Sequence, residues 1–177
     1  SDSGELLVKG PNVMIGYYLH PEMTAEVIDQ DDWLHTGDKA ELDDEGYLKI
    51  TGRIKEIFKT ASGVYVYPET LENRLKQSLF ISNCIVVGEN KNFLSAVISP
   101  NFEYIREWGL EHQIIETDNS VLIKNPKVKA LLDHDIRHYG QSVKESENIA
   151  KWQTVADEWG IDTGELTPSM KLRRRIV

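Results

Sequence analysis

The 177-residue chain has one cysteine, Cys84, which excludes a disulfide framework and a cysteine-based zinc site. It has no apolar run near the roughly 18 residues that a helical membrane span requires. It has no surplus of basic residues: 20 Lys+Arg stand against 29 Asp+Glu, a formal net charge of −9, which argues against a dedicated nucleic-acid binder. Internal repeats and low-complexity stretches are absent, as are a Gly-rich phosphate loop and a Ser-His-Asp order. The five histidines show no metal-ligand spacing except His134 and His138 at i, i+4, and with no third ligand nearby that pair reads as a surface pair. What remains is the composition of a globular chain, 40% hydrophobic and 28% charged, long enough to bury a core.

The charge is unevenly placed. Residues 1–52 carry twelve acidic and three basic side chains, and residues 53–177 carry seventeen of each. The whole surplus sits in the first third, with a composition break at Gly52-Arg53. The chain opens on Ser1-Asp2-Ser3-Gly4, without an initiator Met or a signal peptide, and runs straight into a strand-like stretch. It is expected to be a piece of something longer.

The first segment reads as β-rich. A short strand over 4–9 precedes a Gly10-Pro11-Asn12 turn, and Pro21 sits where a helix would start. Trp33 to Thr36 is extended. Ala40–Leu42 and Tyr47–Ile50 flank the hairpin turn Asp43-Asp44-Glu45-Gly46. This segment has few residues for a core of its own. After Gly52 the pattern predicts strands over 54–59 and 64–67, and a helix opened by Pro68 with Leu71, Leu75 and Leu79 on one face. A buried hairpin follows over 81–88 and 93–99. Helices are expected from Phe102, from Asn125-Pro126 through Tyr139, and over 149–159. The fold class is α+β.

Three places could carry chemistry. Asp38, in Thr36-Gly37-Asp38, follows a Gly at a strand end. Its two carboxylate oxygens could accept both hydroxyls of a ribose, although an Asp in a turn is the ordinary reading of these residues alone. Gly52-Arg53 with Lys55 stands at the composition break. Arg53 could fork onto a hydroxyl or phosphate, and a Gly followed by charged residues between two units also reads as a hinge, although a linker with a surface Arg is the ordinary reading of these residues alone. Lys171, in Leu166-Thr167-Pro168-Ser169-Met170-Lys171, opens a basic cluster with Arg173, Arg174 and Arg175. It could present a point charge to a phosphate, or belong to a solvated tail or an anion-attracting patch.

Taken in order, these segments resemble the adenylate-forming superfamily of acyl-CoA synthetases, luciferases and peptide-synthetase adenylation domains. Gly4-Glu5-Leu6 through Gly16-Tyr17-Tyr18 looks like one family segment, and Trp33 through Thr36-Gly37-Asp38 like its W-x-x-T-G-D motif. Gly52-Arg53-Ile54-Lys55-Glu56 with Lys59 looks like the hinge motif, followed by Pro68 and Glu72 of a P-x-x-x-E stretch. Thr167 to Lys171 looks like the terminal lysine motif. Within the superfamily the chain is most similar to long-chain fatty acid–CoA ligases. The loop Lys59-Thr60-Ala61-Ser62-Gly63 is one residue longer than in adenylation domains, and residues 125–161 look like a helical insertion.

The resemblance implies ATP-dependent activation of a fatty acid to an acyl-adenylate, followed by thioester formation with CoA. It implies a remnant of the large domain's barrel over 1–52 and a C-terminal lid over 53–177. Asp38 and Arg53 would hold the nucleotide ribose, Lys55 would be the hinge of the lid, and Lys171 would be catalytic in adenylation. Ser62 and Gly63 would lie on the CoA-side loop. The glutamate for Mg, the phosphate loop and the acyl tunnel are expected upstream of Ser1, so the fragment is expected to be inactive alone. No nucleic-acid partner is expected. A cytoplasmic location, with peripheral membrane contact, completes the expectation. The alternatives are a ligase for another carboxylic acid and a non-catalytic module that reuses the lid fold.

Overall fold

A computed structural model of the chain describes residues 4–141 and 148–177. These form two compact units, Ser1–Ile57 and Phe58–Val177. The charge break at Gly52-Arg53 precedes this division, so Arg53 and Lys55 fall within the first unit.

The first unit is an antiparallel sheet of β1 (Glu5–Val8), β2 (Leu34–Leu42) and β3 (Leu48–Arg53), with β2 in the middle, and one short helix, α1 (Pro21–Val27). Pro21 opens α1, where its missing N–H breaks no helical bond. The hairpin turn falls where the sequence places it. The Asp43 carboxylate accepts from the Glu45 and Tyr47 amides, at 3.0 and 2.8 Å. The two extended stretches read on either side of Gly37 are one nine-residue strand. The buried apolar side chains of the described residues all lie in the second unit. Ile15, Tyr18, Leu19, Leu42 and Leu48 are exposed here. Strand pairing and side-chain hydrogen bonds, rather than a core, define this unit.

The second unit carries a two-stranded sheet of β4 (Phe58–Lys59) and β5 (Tyr65–Val66), and a three-stranded sheet in the order β6 (Ile81–Val87), β7 (Leu94–Pro100), β8 (Ile149–Thr154). Its helices are α2 (Pro68–Leu75), α3 (Phe102–Glu111), α4 (Asn119–Leu122) and α5 (Pro126–Tyr139). β6 and β7 are the predicted buried hairpin. The core gathers Leu71 and Leu75 of α2, Cys84 and Val86 of β6, Leu94, Ala96 and Ile98 of β7, and the Val128-Leu132-Ile136 face of α5. Burying a side chain of this size contributes about 1.5–3 kcal/mol. Asn125 caps α5 by accepting the Lys127 amide at 2.9 Å, with Pro126 in the first turn. No helix among the described residues is long and apolar enough to cross a membrane.

Four expectations are corrected. Residues 149–154 form a strand, not a helix, and the region 125–161 is therefore not wholly helical; residues 142–147 of it lie outside the described residues. β8 joins β7 in parallel, with Ala96 opposite Trp152, so the free edge of β7 overrides local helix preference. The stretch expected as a strand over 54–59 begins with a 3₁₀ turn, Ile54–Glu56, and only Phe58–Lys59 pair. α2 stops at Leu75, leaving Leu79 exposed, because Ser78 turns the chain by accepting the Phe80 amide and donating to Asp135. The short helix α4, capped by Asp118, is an element additional to those expected.

Candidate active site

The first unit brings Asp38 and Arg53 together. Leu42 pairs with Leu48 and Ala40 with Ile50, a register that would set Gly52 opposite Asp38. The register shifts between Lys39 and Ala40, so that Thr51 is the extra residue and Arg53 becomes the partner of Asp38. Arg53 Nε lies 2.9 Å from Asp38 Oδ1. Both side chains remain partly exposed, and an ion pair of that kind contributes about 0–1 kcal/mol. Its consequence is orientation of the carboxylate rather than stability. Lys55 is exposed within the 3₁₀ turn that follows, and the Ile57 amide closes that turn on the Arg53 carbonyl.

Asp38 itself leaves a bulge. Gly37 adopts φ +72°, where an L side chain is strained although a Cβ would meet nothing within 4 Å. Conformation, not space, requires glycine. Thr36 Oγ1 donates to the Leu6 carbonyl at 2.8 Å and accepts the Asp38 amide at 3.1 Å. His35, which matches no metal-ligand spacing in the sequence, lies between two carboxylates. Its Nδ1 is 3.0 Å from Glu5 Oε2, and its Nε2 is 3.6 Å from Asp29 Oδ2. The hydrogen bond with Glu5 is the main cause that raises the His35 pKa above its ordinary 6.5, against some desolvation. The same bond lowers that of Glu5, and the Trp33 amide is the first cause lowering that of Asp29.

The second unit holds the other predicted residues. Ser62 and Gly63 lie on the β4–β5 loop, which Thr60 organises. The buried Thr60 hydroxyl meets Ser62 Oγ at 3.0 Å and accepts the Val64 amide at 3.1 Å. The Ala61 amide bonds the Lys91 carbonyl at 2.9 Å and the Asn90 amide bonds the Lys59 carbonyl at 2.9 Å, tying this loop to the β6–β7 turn. Lys171 is exposed at the end of a tight turn between Leu166 and Leu172, which bridge each other. Thr167 closes the turn twice. Its amide donates to the Lys171 carbonyl at 2.8 Å, and its hydroxyl accepts the Lys171 amide at 3.0 Å. Leu166 anchors the turn in the interior.

The basic cluster after Lys171 is largely engaged. Arg174 Nη2 bonds Glu72 Oε2 at 2.6 Å, and Arg173 Nη1 bonds the Gly164 carbonyl at 3.3 Å. The Arg174 link answers the question of a solvated tail: this segment is docked on α2. No local pattern announces it, since the partners are 102 positions apart.

No family model matches the chain. Among curated proteins, a long-chain fatty acid–CoA ligase of Mycobacterium tuberculosis is 36% identical over 178 residues, taking in 100% of this chain and 30% of that protein. Human long-chain fatty acid–CoA ligase 1 is 38% identical over 174 residues, 97% of this chain and 25% of the human protein. The chain is homologous to a part of the long-chain fatty acid–CoA ligases. It spans about a third or less of the ligase relatives it matches. The fold agrees with this homology to the ligases. The adenylation domain of a carboxylate reductase from Mycobacterium chelonae superposes with a TM-score of 0.78 at 26% identity, over 97% of this chain and 25% of that one. The corresponding domain from Segniliparus rugosus, solved with AMP and a co-purified carboxylic acid, gives 0.77 at 27% identity, over 97% and 26%. The ligase homologue thus has the α+β fold of adenylate-forming enzymes.

Proposed function

We propose that this chain is the C-terminal part of a long-chain fatty acid–CoA ligase. In the first step a fatty acid carboxylate oxygen attacks the α-phosphorus of ATP, the bond to the bridging oxygen breaks, and acyl-adenylate and pyrophosphate result. In the second the CoA thiol, losing its proton, attacks the acyl carbonyl and AMP leaves. The observation that carries the reading is the cross-strand pair Asp38–Arg53: two residues from separate motifs, joined by a register shift, form a fixed carboxylate of the kind that accepts the hydroxyls of a ribose.

Lys171 supplies charge to the carboxylate and α-phosphate during adenylation, from a turn that holds its backbone firmly and leaves its side chain in solvent. Lys55 is the pivot on which the second unit changes place between the two steps, and the loop with Ser62 and Gly63 then serves the CoA side. Magnesium would accompany ATP and would supply charge neutralisation at the phosphates, its ligand lying outside this chain. Among the described residues no three His, Cys, Asp or Glu side chains are grouped as a metal site.

In the full-length ligase, Asp38→Ala is expected to raise KM for ATP at least tenfold in ATP–pyrophosphate exchange, with little change in KM for the fatty acid. An unchanged KM for ATP removes the ribose assignment. The isolated 177-residue chain is expected to show no exchange activity.

A further inference from the structure

Between Leu7 and Glu5, β1 has one residue; between their partners His35 and Lys39, β2 has three. Thr36, Gly37 and Asp38 therefore stand in a bulge that the β1–β2 ladder alone does not hold. Two side chains span it: the Thr36 hydroxyl, which donates to the Leu6 carbonyl, and the Glu5 carboxylate, which reaches across from β1. Glu5 Oε1 accepts the Gly37 amide at 3.0 Å, while Glu5 Oε2 meets His35 Nδ1 at 3.0 Å. The carboxylate thus grips β2 on both sides of Thr36. Asp29 backs the far side of the His35 ring, and its other oxygen accepts the Asp31 and Trp33 amides, both at 2.9 Å.

We propose that Glu5 and His35 are positioning residues for Asp38: the Glu5 carboxylate, locked by His35, sets the bulge that presents Asp38 to the nucleotide. The proposal rests on the ribose assignment of Asp38 made above. Glu5 on β1 and Asp29 after α1 are the charged groups facing the ring. Asp31 and Lys9, on the adjoining turn, are joined by a bond from Lys9 Nζ to the Asp31 carbonyl. A protonated imidazole presents a donor to each carboxylate, and a neutral one presents a single donor. Since the folded-state pKa of His35 is raised, the lock is complete below the ordinary value of 6.5 and is lost as pH rises through the folded value.

The test uses the full-length ligase with Glu5→Gln, His35→Gln and, as a control on the ribose assignment, Asp38→Ala. KM for ATP and kcat of pyrophosphate exchange are measured between pH 6 and 9, with hydrogen exchange of the peptide covering 34–39. Glu5→Gln is expected to raise KM for ATP about tenfold with kcat within about twofold, as for lost binding geometry, and to speed exchange at Gly37 and Asp38. His35→Gln is expected to flatten the rise of KM for ATP with pH. Exchange rates unchanged in both variants overturn the proposal, whatever the kinetics. Unchanged KM for ATP and an unaltered pH profile in both, beside a weakened Asp38→Ala, overturn it too. An Asp38→Ala enzyme with normal KM, beside faster exchange in Glu5→Gln, leaves the pin standing and removes the ribose assignment instead. Should Glu5→Gln lower the melting temperature, the half-exposed His35 position carries the test.

Discussion

Glu72 and Arg174 form an ion pair at 2.6 Å between α2 and the C-terminal segment, with 8% and 23% of their side chains exposed. The other Glu72 oxygen accepts the Val86 amide at 2.7 Å, so one carboxylate ties α2 to β6 and to the segment that bears Lys171. Leaving a buried carboxylate without its cation costs about 3–5 kcal/mol. Arg174→Met is therefore expected to lower the unfolding free energy of the isolated chain by several kcal/mol, measured by urea denaturation with a probe in the second unit. A change under about 1 kcal/mol means that the pair is not a structural anchor.

Cys84 packs beneath the same helix, its Sγ 3.6 Å from the Glu72 carbonyl. Burial first, and the Glu72 charge second, push its thiol pKa up to about 12. The thiol is expected to be inert to a disulfide reagent at pH 8 in the folded chain and to react fully in denaturant. Rapid labelling without denaturant contradicts the buried placement.

Asp133 on α5 links β8 to the rest of the second unit, accepting from Arg137 Nε at 2.7 Å and from Trp152 Nε1 at 3.1 Å. The Arg137 bond first, then Trp152, hold its carboxyl below the ordinary 3.8. A lowered pKa stabilises the fold above the unfolded value, and that stabilisation is lost as pH falls through the folded value. The Trp152 indole N–H resonance is expected to shift on acidification only below pH 3.8, and Asp133→Asn to abolish that shift. A transition above pH 4 would falsify the link.

Much of this was legible locally. Pro21, Pro68 and Asn125-Pro126 announced helix starts, Asp43 to Gly46 announced the hairpin, and β-branched runs announced β6 and β7, because capping, turn and burial rules act over a few residues. Asp38, Arg53 and Lys171 were legible as motifs. The partnership of Asp38 with Arg53 was not, since it depends on an extra residue at Thr51 that a regular register would not include. Ile149–Thr154 is a strand only by virtue of β7 beside it, which local helix preference does not reveal. Glu5 and His35 carry no spacing signal. Their role comes from a bulge that places Gly37 under the Glu5 carboxylate.

Lys55 sits in the first turn of a 3₁₀ segment, where a missing N–H is tolerated. In the full-length ligase proposed for this chain, Lys55→Pro is expected to preserve folding and adenylation while slowing thioester formation from supplied acyl-adenylate by at least tenfold. Equal rates in that second step show that the pivot lies elsewhere.

The most direct measurement of the central claim separates the two half-reactions in full-length Lys171→Ala enzyme. The predicted result is a loss of ATP–pyrophosphate exchange of at least a hundredfold, with thioester formation from supplied acyl-adenylate within a few fold of the parent. Equal loss in both steps, or retained exchange, contradicts the role of Lys171 and with it the reading of this segment as the part of a fatty acid–CoA ligase that delivers charge to adenylation.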